Sequence, residues 1–335
     1  MTGNTYREFG NKLLEAKTIL LFPHIHVDGD GLGSAVALCM ALRKLGRDAW
    51  VLCYEDTPKD LDFLESSMVT RKQNIFPEGA DLAVMVDCSS MSRIKWREAP
   101  FRKAKAHAVI DHHGSPGGDE PIAFDCRIIE PESAACGEMI WLLMKEMGWE
   151  IDLPIANALF SAITTDTGNY QHSNTTARSH RITASFYDIP GFNSKPVSAL
   201  LYERNSLQSL KLEAMLVESI RLYHGGELAI AKTTQKMLEQ TGCTMDETEG
   251  FVQKIMSVNG VELGCFLKET AGDEVRVSLR AKSYANVARV AQQLGGGGHI
   301  RAAGATLPKP IEEAEAKLVE LLCAELDRAA AEREE

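Results

Sequence analysis

Short apolar runs alternate with helix-like stretches over roughly the first 170 residues, and no other feature of the sequence constrains the fold as strongly. Four runs are predicted strands, at residues 18–22, 49–53, 82–86 and 106–110. Three stretches are predicted helices, at residues 32–45, 133–147 and 153–165, the second with Ser133 as its N-terminal cap. Strands that interleave with helices indicate an α/β fold in which helices cover both faces of a parallel sheet.

Acidic and histidine motifs follow three of these predicted strands. The motifs are His24-x3-Asp28-x-Asp30, Asp87 and Asp111-His112-His113. Because ligands of such sheets bind beyond the carboxyl ends of the strands, we expect all three motifs at one edge. A fourth motif, Asp166-Thr167-Gly168, follows a helix-like segment, so the pattern alone does not bring it to that edge.

These side chains suit a pair of divalent metal ions. Carboxylates and imidazoles bind Mn²⁺, Mg²⁺, Co²⁺ or Zn²⁺, and the absence of thiolates disfavours a structural zinc site. Asp87, alone at a strand end, is the natural bridge between two ions. Two ions generate a hydroxide nucleophile and steady phosphate oxygens, so the sequence predicts a metal-dependent hydrolase. The alternative for each motif alone is a helix cap, a loop aspartate or a satisfied strand-end histidine.

Composition limits the substrate and the compartment. The chain has 335 residues and a formal net charge of −11, which disfavours a long nucleic-acid footprint but allows a small anionic substrate. No apolar run reaches the roughly 18–20 residues that span a bilayer, and the N-terminus does not resemble a secretory signal. The eight cysteines contain no Cys-x-x-Cys pair and are predicted to be reduced. We therefore expect a cytoplasmic protein without membrane association.

The second half of the chain is predicted to form a smaller α/β domain. Turn-forming residues cluster around 189–196, where the first domain is expected to close. The predicted organisation is a metal-binding domain at 1–192, a helical linker at 193–222 and a substrate-binding domain at 223–335. Predicted strands are residues 228–231, 261–268 and 274–279, and predicted helices are residues 247–256, 286–294 and 311–330.

Four consecutive glycines, Gly295 to Gly298, lead directly into His299. Such a run is typical of a flexible linker, but this one contains no serine and precedes a compact apolar segment. Backbone without side chains lets N–H groups converge on an anion, with His299 and Arg280 as candidate sources of positive charge. We therefore favour an anion-binding loop over a linker.

In combination and order, these motifs resemble the DHH phosphoesterase family, which is named for the Asp111-His112-His113 triplet. The segment from Gly295 to His299, followed by Ala302-Ala303-Gly304, resembles the family's associated C-terminal domain. The resemblance covers nearly the whole chain. It implies a parallel-sheet domain and a smaller α/β domain, with the active site in the cleft between them.

The resemblance also implies roles for individual residues. One metal ion would be held by His24, Asp28 and Asp87, and the other by Asp30, Asp87, His112 and Asp166. Asp111 would orient its neighbours and His113 would lie near the scissile phosphate, so that Asp87, Asp111, His112 and His113 form the catalytic set. Substrate contacts would come from Arg280, Gly296, Gly297, Gly298 and His299.

A chain of this length is similar to the short-oligoribonucleotide nucleases (nanoRNases) of the family that also dephosphorylate 3′-phosphoadenosine-5′-phosphate. This similarity implies two divalent ions, Mn²⁺ before Mg²⁺ or Co²⁺, and short single-stranded RNA, dinucleotides or a nucleoside bisphosphate as substrate. Long duplexes are excluded, and a homodimer is implied. The sequence departs from the family pattern at Val27, where proline is typical, and at Gln171, where arginine is frequent.

Three alternative functions stay open. An inorganic pyrophosphatase shares the first-domain motifs, although its associated domain differs. A non-catalytic nucleotide sensor is a second alternative, which the complete set of ligands disfavours. A membrane-bound cyclic-dinucleotide phosphodiesterase is disfavoured because the sequence offers no membrane helix.

Overall fold

The computed structural model describes residues 4–64, 67–113, 122–248 and 250–334. The chain divides into two compact units, Met1–Arg204 and Asn205–Glu335, each with its own core. The division falls inside the segment 193–222, which the sequence predicts as a linker. Residue 249, within the predicted helix 247–256, lies outside the described residues. Among the described residues, every helix is too short or too polar to cross a bilayer.

The described residues of the first unit form six strands, and the pairings among these strands are all parallel. They are β1 (Thr18–Phe22), β2 (Asp48–Leu52), β3 (Val69–Thr70), β4 (Leu82–Val86), β5 (His107–Asp111) and β6 (Cys126–Ile129). Their order is β3-β2-β1-β4-β5-β6, so successive strands are added outward on one side of β1 and then on the other. In such sheets ligands bind at the carboxyl edge where the strand order reverses, here between β1 and β4. The predicted parallel sheet is confirmed. The sequence did not indicate β3 or β6, which are too short to show a period of two.

Helices cover both faces of this sheet. They are α1 (Tyr6–Glu15), α2 (Gly29–Lys44), α3 (Glu98–Lys103), α4 (Cys136–Met147), α5 (Leu153–Asp166), α6 (Ala177–Phe186) and α7 (Ser194–Tyr202). On one face, Ile19 and Val84 pack in a core with α1, α2, α4 and α5. On the other face, Leu20 and Met85 pack against Phe101 of α3.

Two helices of the first unit begin at residues other than those predicted. The helix predicted at 32–45 starts earlier, because the Asp28 side chain accepts a hydrogen bond of 2.9 Å from the Gly31 amide and caps α2. The helix predicted at 133–147 starts later, at Cys136, and Ser133 is not its cap. Asp30 of α2 instead accepts the Cys136 and Gly137 amides, at 2.6 and 2.9 Å. Only tertiary packing supplies such a cap.

The second unit has a mixed sheet in the order β11-β12-β10-β9-β8-β7. Its strands are β7 (Arg221–Tyr223), β8 (Leu228–Thr233), β9 (Leu263–Glu269), β10 (Glu274–Ala281), β11 (Gly297–His299) and β12 (Ala302–Pro308). Its helices are α8 (Leu207–Ser219), α9 (Gln235–Thr241), α10 (Phe251–Met256), α11 (Val287–Gln293) and α12 (Ile311–Glu334). Within the part of this unit that the structure describes, only β8 and β9 pair in parallel. Helices α11 and α12 pack on the face of the sheet opposite α8, α9 and α10.

The second half of the glycine run lies in this sheet and is not a flexible linker. Gly297 and Gly298 pair with Gly304 and Ala303 in a hairpin with β12. A Cβ atom on Gly296 would lie 2.1 Å from the Gly304 carbonyl oxygen, and a Cβ on Gly298 would lie 2.5 Å from the Ala302 oxygen. Close approach of two backbones therefore requires glycine at both positions.

Candidate metal centre

A first group of candidate ligands consists of His24, Asp28 and Asp87. His24 follows β1 and is 5% exposed, while Asp87 follows β4 and is 1% exposed. The His24 Nε2 atom lies 3.4 Å from Asp28 Oδ1 and 3.5 Å from Asp87 Oδ2. One ligand atom from each residue lies within 4.8 Å of the others. The carboxyl ends of two adjacent strands and the start of α2 thus supply one compact set of donors.

A second group consists of Asp30, His112 and Asp166, again beside Asp87. The His112 Nε2 atom lies 3.5 Å from Asp30 Oδ2 and 3.6 Å from Asp166 Oδ2. It also lies 3.3 Å from Asp87 Oδ1, whereas the other Asp87 oxygen faces His24. Asp87 therefore directs one oxygen into each group. The end of α5 brings Asp166 to the strand edge, which periodicity alone did not require.

The two histidines are oriented as metal-binding histidines usually are. The ring Nδ1 of His24 lies 2.7 Å from the Ile25 carbonyl oxygen, and Nδ1 of His112 lies 3.0 Å from the Ser133 carbonyl oxygen. When Nδ1 donates to a carbonyl, the neutral ring offers the lone pair of Nε2. Both Nε2 atoms and Asp87 Oδ1 are buried without a hydrogen-bond partner. Donors about 2.1 Å from a tetrahedral ion lie about 3.4 Å apart, so this arrangement fits divalent cations.

The pKa values of the two histidines show that the surrounding carboxylates favour a positive charge at the centre. Burial opposes the charged form of His24, but Asp28 and Asp87 outweigh it and raise the pKa of His24 to about 10. Burial likewise opposes charge on His112, whose pKa is raised to about 10 by the surrounding carboxylates, Asp87 first. Protons on histidine or divalent cations can supply that charge, and metal binding displaces such protons.

The carboxylates of the second group repel one another. Burial and then the Asp87 charge hold the pKa of Asp30 well above its ordinary value. Burial raises the pKa of Asp166 to about 6, with Asp87 adding to the effect and the His112 charge opposing it. Carboxylates gathered in this way are costly unless a cation or proton offsets them.

Within the DHH triplet, Asp111 is buried and His113 is exposed. Asp111 ends β5 and is fully buried, and its Oδ1 atom accepts from the His113 amide at 3.0 Å and lies 2.7 Å from His113 Nδ1. The His113 side chain is 52% exposed. The Asp111 hydrogen bond outweighs burial and raises the pKa of His113. Asp111 therefore fixes one nitrogen of His113 and leaves Nε2 available to a substrate.

Two backbone features bring these groups close together. Asp87 has a φ of 60°, a left-handed conformation that is strained for an aspartate at a strand end. In addition, a Cβ on Gly31 would lie 3.2 Å from His24 Nε2 and 3.4 Å from Asp87 Oδ2. Glycine at this position lets the first turn of α2 approach the centre.

The structure shows contacts and backbone conformations near the centre that the sequence did not indicate. Ser133 contributes its carbonyl oxygen to His112, and its hydroxyl accepts from Arg178 at 3.1 Å. Beyond Asp166, the backbone has positive φ at Gly168, Asn169 and Tyr170. The exposed Gln171 follows this strained run, and its amide donates to the Thr167 carbonyl oxygen at 3.0 Å. Hydrogen bonds to backbone carbonyls and residues with positive φ cannot be recognised in a single sequence, although Gly168 indicates a turn.

In the second unit, the strand register brings Arg280 and His299 to one face of the sheet. Both residues are aligned with Ala302, Arg280 on β10 and His299 on β11, at opposite sides of β12. Neighbouring strands lie about 4.8 Å apart, so the two side chains start about 10 Å apart with only alanine between them. Arg280 is half-buried, and burial lowers its pKa.

A pocket of about 540 Å³ lies beside the same hairpin. Its lining residues are Asn286, Ala288, Arg289, Gln292, Gly298, His299, Ile300 and Arg301. Of the predicted substrate contacts, it includes Gly298 and His299. Arg280 does not line it.

Fold and site together define a two-domain α/β protein with an aspartate and histidine centre suited to divalent metal ions. Residues 18–163 match the DHH family, N-terminal domain, and residues 226–328 match the DHHA1 domain. A protein of Thermus thermophilus, named bifunctional oligoribonuclease and PAP phosphatase NrnA, is 31% identical over 317 residues, which cover 93% of this chain and 91% of that protein. The chain belongs to the DHH family.

Other relatives extend over the same length. The Bacillus subtilis protein of the same name is 28% identical and covers 87% of this chain and 89% of its own. An exopolyphosphatase-related protein from Bacteroides fragilis has a crystal structure with a TM-score of 0.87 and 22% identity, covering 98% of this chain and 97% of its own. The crystal structure of exonuclease RecJ bound to manganese has a TM-score of 0.54 and 15% identity, and the match covers 97% of this chain and 95% of the RecJ chain. The two structures support the fold alone.

Proposed function

We propose that this protein is a metal-dependent phosphoesterase that hydrolyses short oligoribonucleotides to mononucleotides and converts 3′-phosphoadenosine-5′-phosphate to AMP. Two buried imidazole nitrogens without hydrogen-bond partners, facing a shared set of carboxylates, carry this proposal. The names of the Thermus and Bacillus relatives supply the two substrate classes. The acidic net charge agrees with a small substrate rather than a long polyanion.

His24, Asp28 and Asp87 would hold one ion, and Asp30, Asp87, His112 and Asp166 the other. Mn²⁺ is the metal we favour, because both ligand types suit it and RecJ, of similar fold, was solved with manganese. Divalent ions at such a site supply Lewis acidity toward phosphoryl oxygens and lower the pKa of water.

The remaining groups act on the substrate. His113, held by Asp111 through Nδ1, would present Nε2 to the scissile phosphate and give a proton to the leaving oxygen. The Asp111 hydrogen bond raises the pKa of His113, which favours the charged form of the ring. In the second unit, Arg280, His299 and the backbone from Gly296 to Gly298 would bind a phosphate of the substrate.

A substrate panel tests the proposal. The purified protein is incubated with Mn²⁺, Mg²⁺ or Co²⁺ and a dinucleotide, a five-mer, adenosine 3′,5′-bisphosphate, a cyclic dinucleotide or pyrophosphate, and the products are identified. We expect mononucleotides from the linear oligonucleotides and AMP from the bisphosphate. Turnover of pyrophosphate alone would contradict the proposal.

Asp87→Asn tests the shared ligand. We expect it to abolish dinucleotide cleavage, because neither ion keeps its full set of oxygens. Asp188→Asn, at an exposed carboxylate of the same unit, is the matched control and should retain activity. Near-normal turnover by Asp87→Asn would refute the bridging role.

Arg280→Ala tests the second unit. We expect a higher KM for dinucleotide with unchanged Mn²⁺ affinity, because this arginine lies on a strand of unit 2 far along the chain from the metal motifs. Arg276→Ala, an exposed arginine four residues earlier on β10, is the control. Equal KM values for the two variants would remove Arg280 from the site.

A further inference from the structure

Two large aromatic rings are stacked on the surface of the first unit. The Tyr54 and Trp96 ring centroids lie 4.6 Å apart with an interplanar angle of 23°. Tyr54 is nevertheless 45% exposed and Trp96 is 53% exposed. Stacked rings left open to solvent offer a flat apolar surface on which a further planar group can stack.

A buried arginine fixes the position of this aromatic pair. Arg97 is 1% exposed, and its Nη1 atom donates to the Leu52 carbonyl oxygen at 2.7 Å while Nε donates to Ile94 at 3.3 Å. Leu52 ends β2, two residues before Tyr54, and Arg97 directly follows Trp96. The guanidinium therefore ties the two ring-bearing segments together, so that the stacked geometry is built into the fold.

Both segments are also bonded to the loop that carries His24 and Asp28. The His26 amide donates to Glu55 Oε2 at 2.7 Å, and Glu55 follows Tyr54. The Ile25 amide donates to the Arg93 carbonyl oxygen at 2.8 Å, three residues before Trp96. The aromatic pair thus lies along the same carboxyl edge as the candidate metal centre.

Positive charge accompanies the rings. Arg93 and Lys95 are exposed, and Lys95 Nζ lies 5.6 Å from the centroid of the Trp96 ring. Lys95 has a φ of 29°, a strained conformation immediately before the tryptophan. Aromatic faces interleaved with cations are the surface that single-stranded nucleic acids recognise, because bases stack while phosphates meet charge.

We infer that Tyr54 and Trp96 form a stacking platform for a nucleobase of the substrate, with Arg93 and Lys95 beside its backbone phosphate. The inference rests on the proposed function and names the part of the substrate that this surface holds. Every base has a π face, so the platform accepts purines and pyrimidines and does not read sequence. It favours oligonucleotides over small phosphates that lack a base.

Trp96→Ala and Tyr54→Ala test the platform against Trp96→Phe. On a dinucleotide with Mn²⁺, we expect the alanine variants to raise KM about 5- to 100-fold with kcat within about twofold, the loss typical of one base stack. Trp96→Phe should keep most of the affinity. Tyr187→Ala, at an exposed tyrosine that packs on Phe192 of the same unit, should behave like the unchanged protein.

A substrate series separates this inference from the proposed function. Dinucleotides in which either base is replaced by hydrogen should show the effect of Trp96→Ala only when the stacking base is present. If the unchanged protein cleaves the dinucleotide and Trp96→Ala has the same KM, the platform is overturned and the proposed function stands. Should no oligonucleotide be cleaved, the proposed function fails on its own.

Binding is then measured without turnover. Tryptophan fluorescence is followed as a phosphorothioate-linked dinucleotide is added. Trp96→Phe should remove most of the quenching, and Tyr54→Ala, which keeps Trp96, should weaken the binding that this quenching reports. Absence of binding, or binding equal in all variants, contradicts the platform. A change in sedimentation of Trp96→Ala without a change in nucleotide affinity would identify a protein interface instead and also overturns it.

Discussion

At the scale of single residues, the candidate centre depends on contacts that hold each ligand in one orientation. The sequence predicted His24 and His112 as ligands, but not the Ile25 and Ser133 carbonyl oxygens that orient them. Asp30 combines two tasks, since it faces His112 and caps α4. Ligand types can be read from a sequence because chemistry restricts them. Their orienting partners cannot, because any residue supplies a carbonyl.

Gly33→Ala on α2 is expected to destabilise the protein. A Cβ there would lie 2.6 Å from the Ala158 carbonyl oxygen of α5, and backbone atoms cannot move aside cheaply. We expect a loss of about 1–3 kcal/mol in the free energy of unfolding, measured by urea denaturation, despite the better helix propensity of alanine. Gly31 differs, because a Cβ there would meet the side chains of His24 and Asp87 and no backbone atom. Gly31→Ala should therefore weaken Mn²⁺ binding. An unchanged stability of Gly33→Ala would show that α2 and α5 can separate.

At the scale of elements, the glycine run shows why pattern alone was insufficient. The sequence offered a linker or an anion-binding loop, and the structure makes Gly297–His299 a strand paired with β12. Without side chains, a strand has no alternation of apolar and polar residues to detect. The adjacent Ala302-Ala303-Gly304 gave equally little signal, so both strands of the hairpin were missed.

Gly298→Ala should disrupt this hairpin, whereas Gly297→Ala should not. Gly298 has a φ of 140°, and its Cβ would contact the backbone of Ala302 and Ala303 at 2.5 Å. A Cβ on Gly297 would have no atom within 4 Å. We expect a loss of roughly 1–3 kcal/mol for Gly298→Ala and little for Gly297→Ala, read from thermal or urea unfolding. Equal stabilities would mean that β11 does not pair as described.

Glu262, just before β9, holds the turn that precedes α11, and its replacement should lower stability. The buried carboxylate accepts from the Ser283, Tyr284 and Ala285 amides and from the Ser283 hydroxyl. Glu262→Gln places an amide among these donors, for an expected loss of about 1.5–3 kcal/mol in urea unfolding. Glu320→Gln, at an exposed glutamate of α12, is the control.

The same carboxylate should contribute to acid sensitivity. Burial opposes its ionisation, but the hydrogen bonds outweigh burial and lower the pKa of Glu262. A lowered folded-state pKa means that the stabilisation is present above the unfolded value, about 4.3, and is lost as the pH falls through the folded value. The unfolding free energy should decline between about pH 5 and pH 3, a window of roughly one unit on either side of the unfolded pKa of Glu262. Glu262→Gln should make this decline less steep. If the unfolding free energies of the unchanged protein and of Glu262→Gln decline in parallel, other groups cause the acid sensitivity.

At the scale of the whole molecule, the chain contains two compact units with separate cores. The alternation of strands and helices predicted the first unit well, because parallel strands buried on both faces leave continuous apolar runs. The second unit was predicted as α/β, but among its described residues four of the five strand pairings are antiparallel, and three of the six strands were not indicated.

Metal binding should stabilise the chain as a whole. At a free Mn²⁺ concentration of 100 times Kd, binding to the folded state adds about 2.7 kcal/mol to the free energy of unfolding. For a unit of this size, that gain raises the thermal midpoint by about 5–10 °C. The chelator EDTA should reverse the shift. Asp87→Asn should lose the response, while Asp188→Asn should keep it. A midpoint indifferent to both Mn²⁺ and chelator would refute the metal centre.

The sequence by itself determined the chemistry of this protein. Its aspartates and histidines follow buried strands, and parallel strands must bring their carboxyl ends to one edge, so both the sheet and the candidate ligands could be predicted. The tertiary structure alone decided which atoms face one another. The cap that Asp30 gives α4, the arrival of Asp166 and the joining of Tyr54 to Trp96 through Arg97 all depend on segments distant in sequence, and local periodicity carries no information about such contacts.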